Sequence, residues 1–294
     1  MGESITNDKL MIILSDICTA TCRACYGSCS PRNKNVMDES LMLRAIGQAK
    51  ESGIAKYIGF SGGEPFLHYD LLKKGLKCAK GCGFLTAVCT NGFWGGWADD
   101  EIAKRIGSLP IDSIILSTDG FHEPFVSKAH IGRAMAFAKK AGTALRLRIG
   151  ETKGGKSAAE YFNELGPYKY LTSVTFYPYL NYGRAKELLR DEFYNMVKMD
   201  DIRCAADAIS IRYDGKVFPC AEFVAFDGAF SIGDLTRQAL SEIIKDNLPL
   251  LMRLRETGGL RELAAAVLPR TDIPSVCGSG CEVCHRLLGG RMRV

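Results

Sequence analysis

Short apolar runs alternate with amphipathic stretches along the first two thirds of the chain. The runs at Leu10–Ser15, Tyr57–Ser61, Phe84–Thr90, Ser113–Ser117, Leu145–Gly150 and Ser173–Pro178 have the length and composition of strands. Between them, Glu39–Ser52, Asp70–Lys80, Ala98–Ile106, Glu123–Lys140 and Ser157–Leu165 carry apolar residues at helical spacing. Strand then helix, repeated at about 30 residues per unit, predicts parallel βα units. Such units make either an open twisted sheet or a partial barrel, and the pattern alone does not choose.

The rhythm changes after Asn181. Residues Ala208–Pro219 predict two short strands around an Asp214-Gly215 turn, followed by helices at Leu240–Asp246 and Leu248–Val267 and a loop-like end. We place a domain boundary there, giving a first domain over 1–182 and a smaller one over 183–294. No internal repeat, low-complexity segment or appended peptide-recognition domain is visible.

Composition narrows the class. A chain of 294 residues that is 47% hydrophobic can bury a full core, and with 24% charged residues it is not a disordered chain. No apolar run approaches the roughly 18 residues a membrane helix needs, and the start lacks the basic-then-apolar order of a secretory signal. The expected location is the cytoplasm, without a membrane partner. A net charge of +5 with no basic cluster argues against nucleic acid as a partner. The outlier is cysteine, with twelve in the chain. Reducing conditions disfavour disulfides, so clustered thiols there point to metal.

Cys18, Cys22 and Cys25 fall on the loop after the first strand, so three thiolates can converge on one centre. Soft sulfur ligands favour zinc or iron–sulfur clusters. A [4Fe–4S] cluster held by three cysteines keeps one iron open for a small molecule. The C-x3-C-x2-C spacing resembles the radical SAM (S-adenosylmethionine) superfamily. Further elements resemble it in the right order. Ser61-Gly62-Gly63-Glu64-Pro65 ends the second strand, Thr90-Asn91-Gly92 the third and Ser117-Thr118-Asp119 the fourth. All sit at C-terminal strand ends, where parallel α/β folds bind ligands.

The resemblance implies a partial (β/α)6 TIM-like barrel, α/β in class. It implies that Cys18, Cys22 and Cys25 hold a [4Fe–4S] cluster that binds SAM. Ser61–Pro65 would then hold the methionine amino group, Asn91 would join the site, and Ser117 and Asp119 would contact the ribose. Arg148 is our choice for the SAM carboxylate. One departure is Ala24, where the family usually has an aromatic residue or His before the third cysteine; Tyr26 is the candidate to pack near adenine instead.

The C-terminal cysteines resemble the SPASM/twitch extension of this superfamily, which binds an auxiliary iron–sulfur cluster. Cys204, Cys220, Cys281 and Cys284 are the implied ligands of a second [4Fe–4S] cluster, with zinc at the same thiolates the alternative. Longer strings are similar to the epipeptide-type peptide epimerases: Asn91–Gly95, Asp119–Val126, and Asp272-Ile273-Pro274 ahead of the Cys281/Cys284 pair. Those enzymes abstract a peptide Cα hydrogen and invert an L-residue. Where that type carries a second cysteine as hydrogen donor, this chain has Ala221. Cys277 is extra and is open to three roles: donor, cluster ligand or none.

The function so implied is hydrogen abstraction by a 5′-deoxyadenosyl radical from a peptide, giving a D-residue or an oxidative cross-link. A small-molecule alcohol dehydrogenase is the alternative, and a non-catalytic metal-binding module would leave the SAM elements without a purpose. A reducing partner such as flavodoxin or ferredoxin is expected. Bland roles are expected for Cys29, Cys78, Cys82 and Cys89 as loop or packing thiols, while His122, Trp94 and Trp97 are open between site and core. Lys153–Ser157 lacks the spacing of a phosphate loop.

Overall fold

The computed structural model describes residues 9–167, 173–180, 182–188, 193, 197–198, 204, 208–222, 230–255, 259–267, 276–277 and 280–284. The βα alternation is realised as β1 (Lys9–Ile13), α1 (Glu39–Ser52), β2 (Tyr57–Ser61), α2 (Tyr69–Gly81), β3 (Leu85–Thr90), α3 (Asp99–Arg105), β4 (Ser113–Ser117), α4 (Lys128–Lys140), β5 (Ala144–Glu151), α5 (Ala158–Asn163) and β6 (Ser173–Pro178). Then come β7 (Val197–Lys198), β8 (Ala208–Arg212), β9 (Lys216–Phe218), β10 (Gly233–Asp234), α6 (Leu240–Asp246), α7 (Leu248–Arg255), α8 (Gly259–Val267) and β11 (Val276–Cys277). One nine-stranded sheet has the order β10-β9-β8-β1-β2-β3-β4-β5-β6, and β7 pairs with β11 separately. Strands β1 to β6 run parallel, each beside its successor, the arrangement of a partial TIM-like barrel.

The hairpin at Asp214-Gly215 is β8 and β9, with Ser210 opposite Phe218. Its first strand lies parallel to β1, so the sheet runs on past residue 182. All five residues of β8 are buried, as befits a strand with neighbours on both edges.

Helix boundaries follow local chemistry. Asp38 caps α1 by accepting from the Ser40 and Leu41 N–H groups, and Gly53 closes it in the left-handed region. Its apolar positions Met42, Ala45, Ile46 and Ala49 all face the core. Helix α4 starts at Lys128 rather than at Glu123 because Ser127 caps it and Asp119 ties the preceding residues into turns. Ser157, at the end of the glycine-rich loop, forms a capping box with Glu160.

Strand alternation separates two faces. Ile58, Phe60, Val88, Ile114, Leu116, Leu147 and Ile149 enter one continuous core with the helices. The opposite parity carries Ser61, Cys89, Ser117, Arg148 and Tyr177, which line a cavity at the C-terminal ends of the strands. Trp94 is fully buried against Phe66 and Phe137, and Cys78 and Cys82 pack on the core, as small hydrophobes do. No helix among the described residues is long and apolar enough to cross a membrane.

Helix α2 meets the sheet at Gly75. A Cβ there would lie 2.6 Å from the Phe60 ring and 2.7 Å from the Met42 sulfur. Gly75→Ala gains about 1 kcal/mol of helix propensity, but overpacking a buried site costs about 1–3 kcal/mol. We predict a net loss of stability in urea unfolding. A stabilised variant would show that the interface has room.

Candidate active site

The cavity measures about 190 Å³, and its wall includes Cys18, Cys22 and Cys25 with Ser61, Gly62, Gly63, Asn91, Ser117 and Arg148. Three loops build it. The cysteine loop is closed by bridges between Ser15 and Val36 and between Ile17 and Ser30. The loop leaving β2 lies directly on it: Gly63 N–H donates to the Ser15 carbonyl at 2.8 Å and Glu64 N–H to the Ile17 carbonyl at 2.9 Å. This contact is why both glycines are needed. A Cβ on Gly62, whose φ is +143°, would sit 2.5 Å from the Ser15 oxygen, and one on Gly63 2.1 Å from the Ile17 oxygen. The close approach that these glycines permit is to the cysteine loop.

Glu64 and Asp119 lie behind the wall. The Glu64 carboxylate is completely buried and accepts from the Phe66 N–H, the Thr90 hydroxyl and the Asn91 N–H. Burial pushes its pKa up to about 7, against the pull of those donors. It thereby ties the end of β2 to the end of β3. Asn91 uses its amide to reach the Thr19 hydroxyl at 2.9 Å. Pro65 opens the short helical turn that follows, and is buried.

Asp119 is equally buried. It accepts from the Phe121 and His122 N–H groups, the His122 ring, Gly150 N–H and the Tyr179 hydroxyl. The Tyr177 hydroxyl donates to that of Tyr179 at 3.3 Å. Asp119 thus aims His122 and Tyr179 at the cavity, which both line. Burial works against an imidazolium at His122, but the Asp119 charge and hydrogen bond outweigh it, so its pKa lies above the ordinary value. Tyr26 also lines the cavity and stands edge-on to Tyr179. Arg148 sits over the Tyr177 ring and 3.9 Å from Glu222.

Several residues of this site carried no recognisable signal in the sequence. Arg184 donates to the carbonyls of Cys22 and Cys29 at 2.9 and 2.6 Å, and its own N–H donates to Cys25. Gly183 before it has φ +55° and lies where a Cβ would strike the Cys25 and Tyr26 carbonyls. Cys29 and Cys89, expected as a loop and a packing thiol, both line the cavity. Cys29 is 3% exposed. Ala221 and Glu222, just beyond the hairpin, form part of the same wall.

The C-terminal thiols gather beside this site. Cys220 and Cys281 pack on Ile13, Tyr182, Phe218 and Phe230. Burial raises the pKa of Cys284, and the charges of Cys204 and Cys281 add to it; Cys220 is raised by burial and by Cys281 and Cys284. Cys284 is therefore within electrostatic reach of the other three thiols. Cys277 lies in β11, its backbone paired with Val197, and its side chain and Asp272–Pro274 lie outside the described residues. As they stand, no three thiol, imidazole or carboxylate side chains among the described residues enclose a single point. The donor sets nonetheless fit iron–sulfur clusters: all-sulfur, buried or half-buried, and in the first case beside a cavity for a small ligand.

Comparison with known proteins agrees with this geometry. Residues 12–148 match the radical SAM superfamily, and residues 203–281 match the SPASM iron–sulfur cluster-binding domain. The chain thus carries a radical SAM domain and a SPASM domain, which together imply SAM and iron–sulfur clusters as cofactors. It is 25% identical over 301 residues to YydG of Bacillus subtilis (strain 168), described as a peptide biosynthesis protein, covering 98% of this chain and 94% of YydG. Among solved structures it resembles SAM-bound SuiB of Streptococcus suis at 14% identity and a TM-score of 0.61, over 87% of this chain and 68% of SuiB. It also resembles BtrN in complex with AdoMet and 2-DOIA, at 16% identity and a TM-score of 0.53, over 89% and 91% of the two chains. The structural likenesses show the shared fold.

The Asp119–His122 pair carries a testable stability. Removing one partner of a buried charged pair costs about 3–5 kcal/mol. Asp119 stays ionised above its ordinary range, and an imidazole with a raised folded pKa stabilises fully below about pH 6.5. That share is lost as pH rises through the raised value. Metal-free Asp119→Ala should therefore be about 3 kcal/mol less stable than wild type at pH 6, with a gap that narrows by pH 9. A gap independent of pH would remove the ion pair from this account.

Proposed function

We propose that the protein is a radical SAM enzyme that modifies a peptide, using two [4Fe–4S] clusters. Cys18, Cys22 and Cys25 would hold the SAM-binding cluster, and Cys204, Cys220, Cys281 and Cys284 the auxiliary one. The observation that carries the reading is one cavity walled by the three thiols, the Ser61–Gly63 backbone and Arg148. The near full-length similarity to YydG supports a peptide as substrate, and SuiB, of the same fold, has been solved bound to its precursor peptide SuiA. SAM, when bound and reduced, supplies a carbon radical that takes a hydrogen atom from the substrate.

The chain's own residues do the positioning. Ser61, Gly62 and Gly63 present backbone groups to the methionine end of SAM, and the Glu64 charge beneath them favours its ammonium. Arg148, exchanging Glu222 for SAM, meets the carboxylate. Ser117 faces the ribose, with Asp119 acting through His122 and Tyr179, and Tyr26 offers its ring to the adenine. The domain over 183–294 closes the cavity with Ala221 and Glu222 and brings the auxiliary site alongside. A flavodoxin or ferredoxin would deliver the electron.

Two products follow from hydrogen abstraction. Ala221 stands on the cavity wall where a donor thiol would quench a Cα radical. With Cys277 as a replacement donor, the product is a D-residue of unchanged mass, and the Cys277 thiyl radical left behind would be restored by one electron from the reducing partner and a proton from solvent. Without a donor, an auxiliary cluster held by Cys204, Cys220, Cys281 and Cys284 would supply the acceptor for the substrate's second electron, with the proton passing to solvent. The product is then two hydrogens lighter, as a peptide cross-link or, with a small-molecule alcohol, a carbonyl.

Anaerobic reconstitution should load about eight irons per chain, the sum for two four-iron clusters. The Cys18/Cys22/Cys25→Ala triple variant should keep about half and form no 5′-deoxyadenosine. SAM cleavage by that variant would overturn the assignment. In deuterated water an epimerised peptide should gain one deuterium per inversion, and Cys277→Ala should abolish the product with both clusters intact. A lighter product formed at full rate by Cys277→Ala would establish the oxidative outcome.

A further inference from the structure

The cysteine loop has two sides. Cys18, Cys22 and Cys25 line the cavity from within, whereas Arg23, Arg32 and Lys34 are exposed and take no part in the cavity wall. Residues 17–37 hold these three cations and no carboxylate. They are spaced apart, so no basic run marks them in the sequence, and the fold is what collects them. The segment after Cys29 turns back over the loop: the Asn33 amide donates to the Ser28 carbonyl at 3.3 Å, and the Asn35 amide to the Asp16 carboxylate at 2.6 Å. Arg184 fastens the outside of the loop through the Cys22 and Cys29 carbonyls, and exposed Lys186 belongs to the same short turn. The neighbouring acids are already engaged. Asp16 is buried and held by Asn35, Asp38 caps α1, and Glu39 pairs with Lys74. Glu187, next to Lys186, is exposed and offsets one charge. None of the four cations makes an ion pair among the described residues. Val36, in the same segment, is an exposed apolar side chain among them.

We propose that Arg23, Arg32, Lys34 and Lys186 form the docking surface for an acidic one-electron carrier protein that reduces the cluster held by Cys18, Cys22 and Cys25. This rests on the assignment of those three cysteines as the SAM-binding ligands. Cations left without neutralising carboxylates attract an anionic partner, speed its encounter and fix its orientation. Their position gives the attraction a use. Arg23 sits between two of the three thiols in sequence, and Cys22 beside it is buried. A partner seated on the outer side is therefore separated from the cluster site by the loop itself, while the cavity on the inner side stays open to SAM and substrate. An exposed valine among the charges suits a protein face better than a phosphate backbone. The carrier is oxidised by one electron and the cluster reduced by one; no proton or atom crosses the interface.

The test compares reconstituted wild type with two fourfold variants. One reverses the surface: Arg23→Glu, Arg32→Glu, Lys34→Glu and Lys186→Glu. The other makes the same change of net charge on the outer helices: Lys77→Glu, Lys104→Glu, Lys139→Glu and Lys140→Glu, all exposed. The probe is an acidic flavodoxin. Binding of its oxidised form is measured by calorimetry, and SAM cleavage is driven either by its reduced form or by photoreduced deazaflavin, a small neutral reductant. Reversal at the cysteine loop should weaken flavodoxin binding about tenfold or more at low ionic strength. The gap should close by about 1 M salt, where charges are screened beyond about 3 Å. Flavodoxin-driven cleavage should fall with binding, while deazaflavin-driven cleavage and iron content match wild type. The helix variant should bind flavodoxin as wild type does. Unchanged binding after reversal at the loop would overturn the proposal, as would equal weakening in both variants. A defect that persists with deazaflavin would overturn it too, because the surface would then serve the loop or the substrate. A wild type that cleaves no SAM with either reductant would overturn the ligand assignment itself.

Discussion

The site rests on one contact between two loops. The backbone of Gly62 and Gly63 lies against the Ser15 and Ile17 carbonyls so closely that no side chain fits between them. Through it, the position of the cysteine loop is set by the end of β2, and Glu64 in turn locks β2 to the end of β3 through Thr90 and Asn91. The loop that carries the Cys18, Cys22 and Cys25 thiols is therefore anchored on a parallel sheet with a helix-covered core.

A second layer of bracing comes from the segment that follows β6. Gly183 and Arg184 clamp the cysteine loop from outside through the carbonyls of Cys22, Cys25 and Cys29. Asp119 organises the opposite rim through His122 and Tyr179. Both carboxylates behind the wall are buried and hydrogen-bonded, yet they differ. Glu64 has only neutral donors, and burial raises its pKa; Asp119 has the His122 ring and stays low. Charge placement beneath the cavity is thus uneven, with an anion secured at the β4 rim and a weaker one at the β2 rim.

Much of this was legible in the sequence. Period-two strands, helical spacing and turn chemistry locate the sheet to within a residue or two, because parallel strands with one helix-facing parity leave a strong pattern. The cysteine spacing and the glycine pair stand out in the sequence because a shared thiol site and a close backbone contact each restrict residue type, but that the glycines meet the cysteine loop is visible only in the fold. Cys29, Cys89, Arg184 and Tyr179 were not. Their roles depend on where the fold brings them, and a buried thiol or a loop arginine has no local signature. The start of α4 was misplaced for a similar reason: residues 123–127 have helical composition, but the Asp119 and His122 carbonyls hold Glu123, Phe125 and Val126 in turns.

The central claim is that the Gly62-Gly63 contact places the cysteine loop for its cluster. The most direct measurement is the iron content and SAM cleavage of Gly63→Ala after anaerobic reconstitution. The account predicts loss of the SAM-responsive cluster and of 5′-deoxyadenosine formation, with iron at the C-terminal cysteines retained. A fully loaded variant that cleaves SAM at the wild-type rate would contradict it.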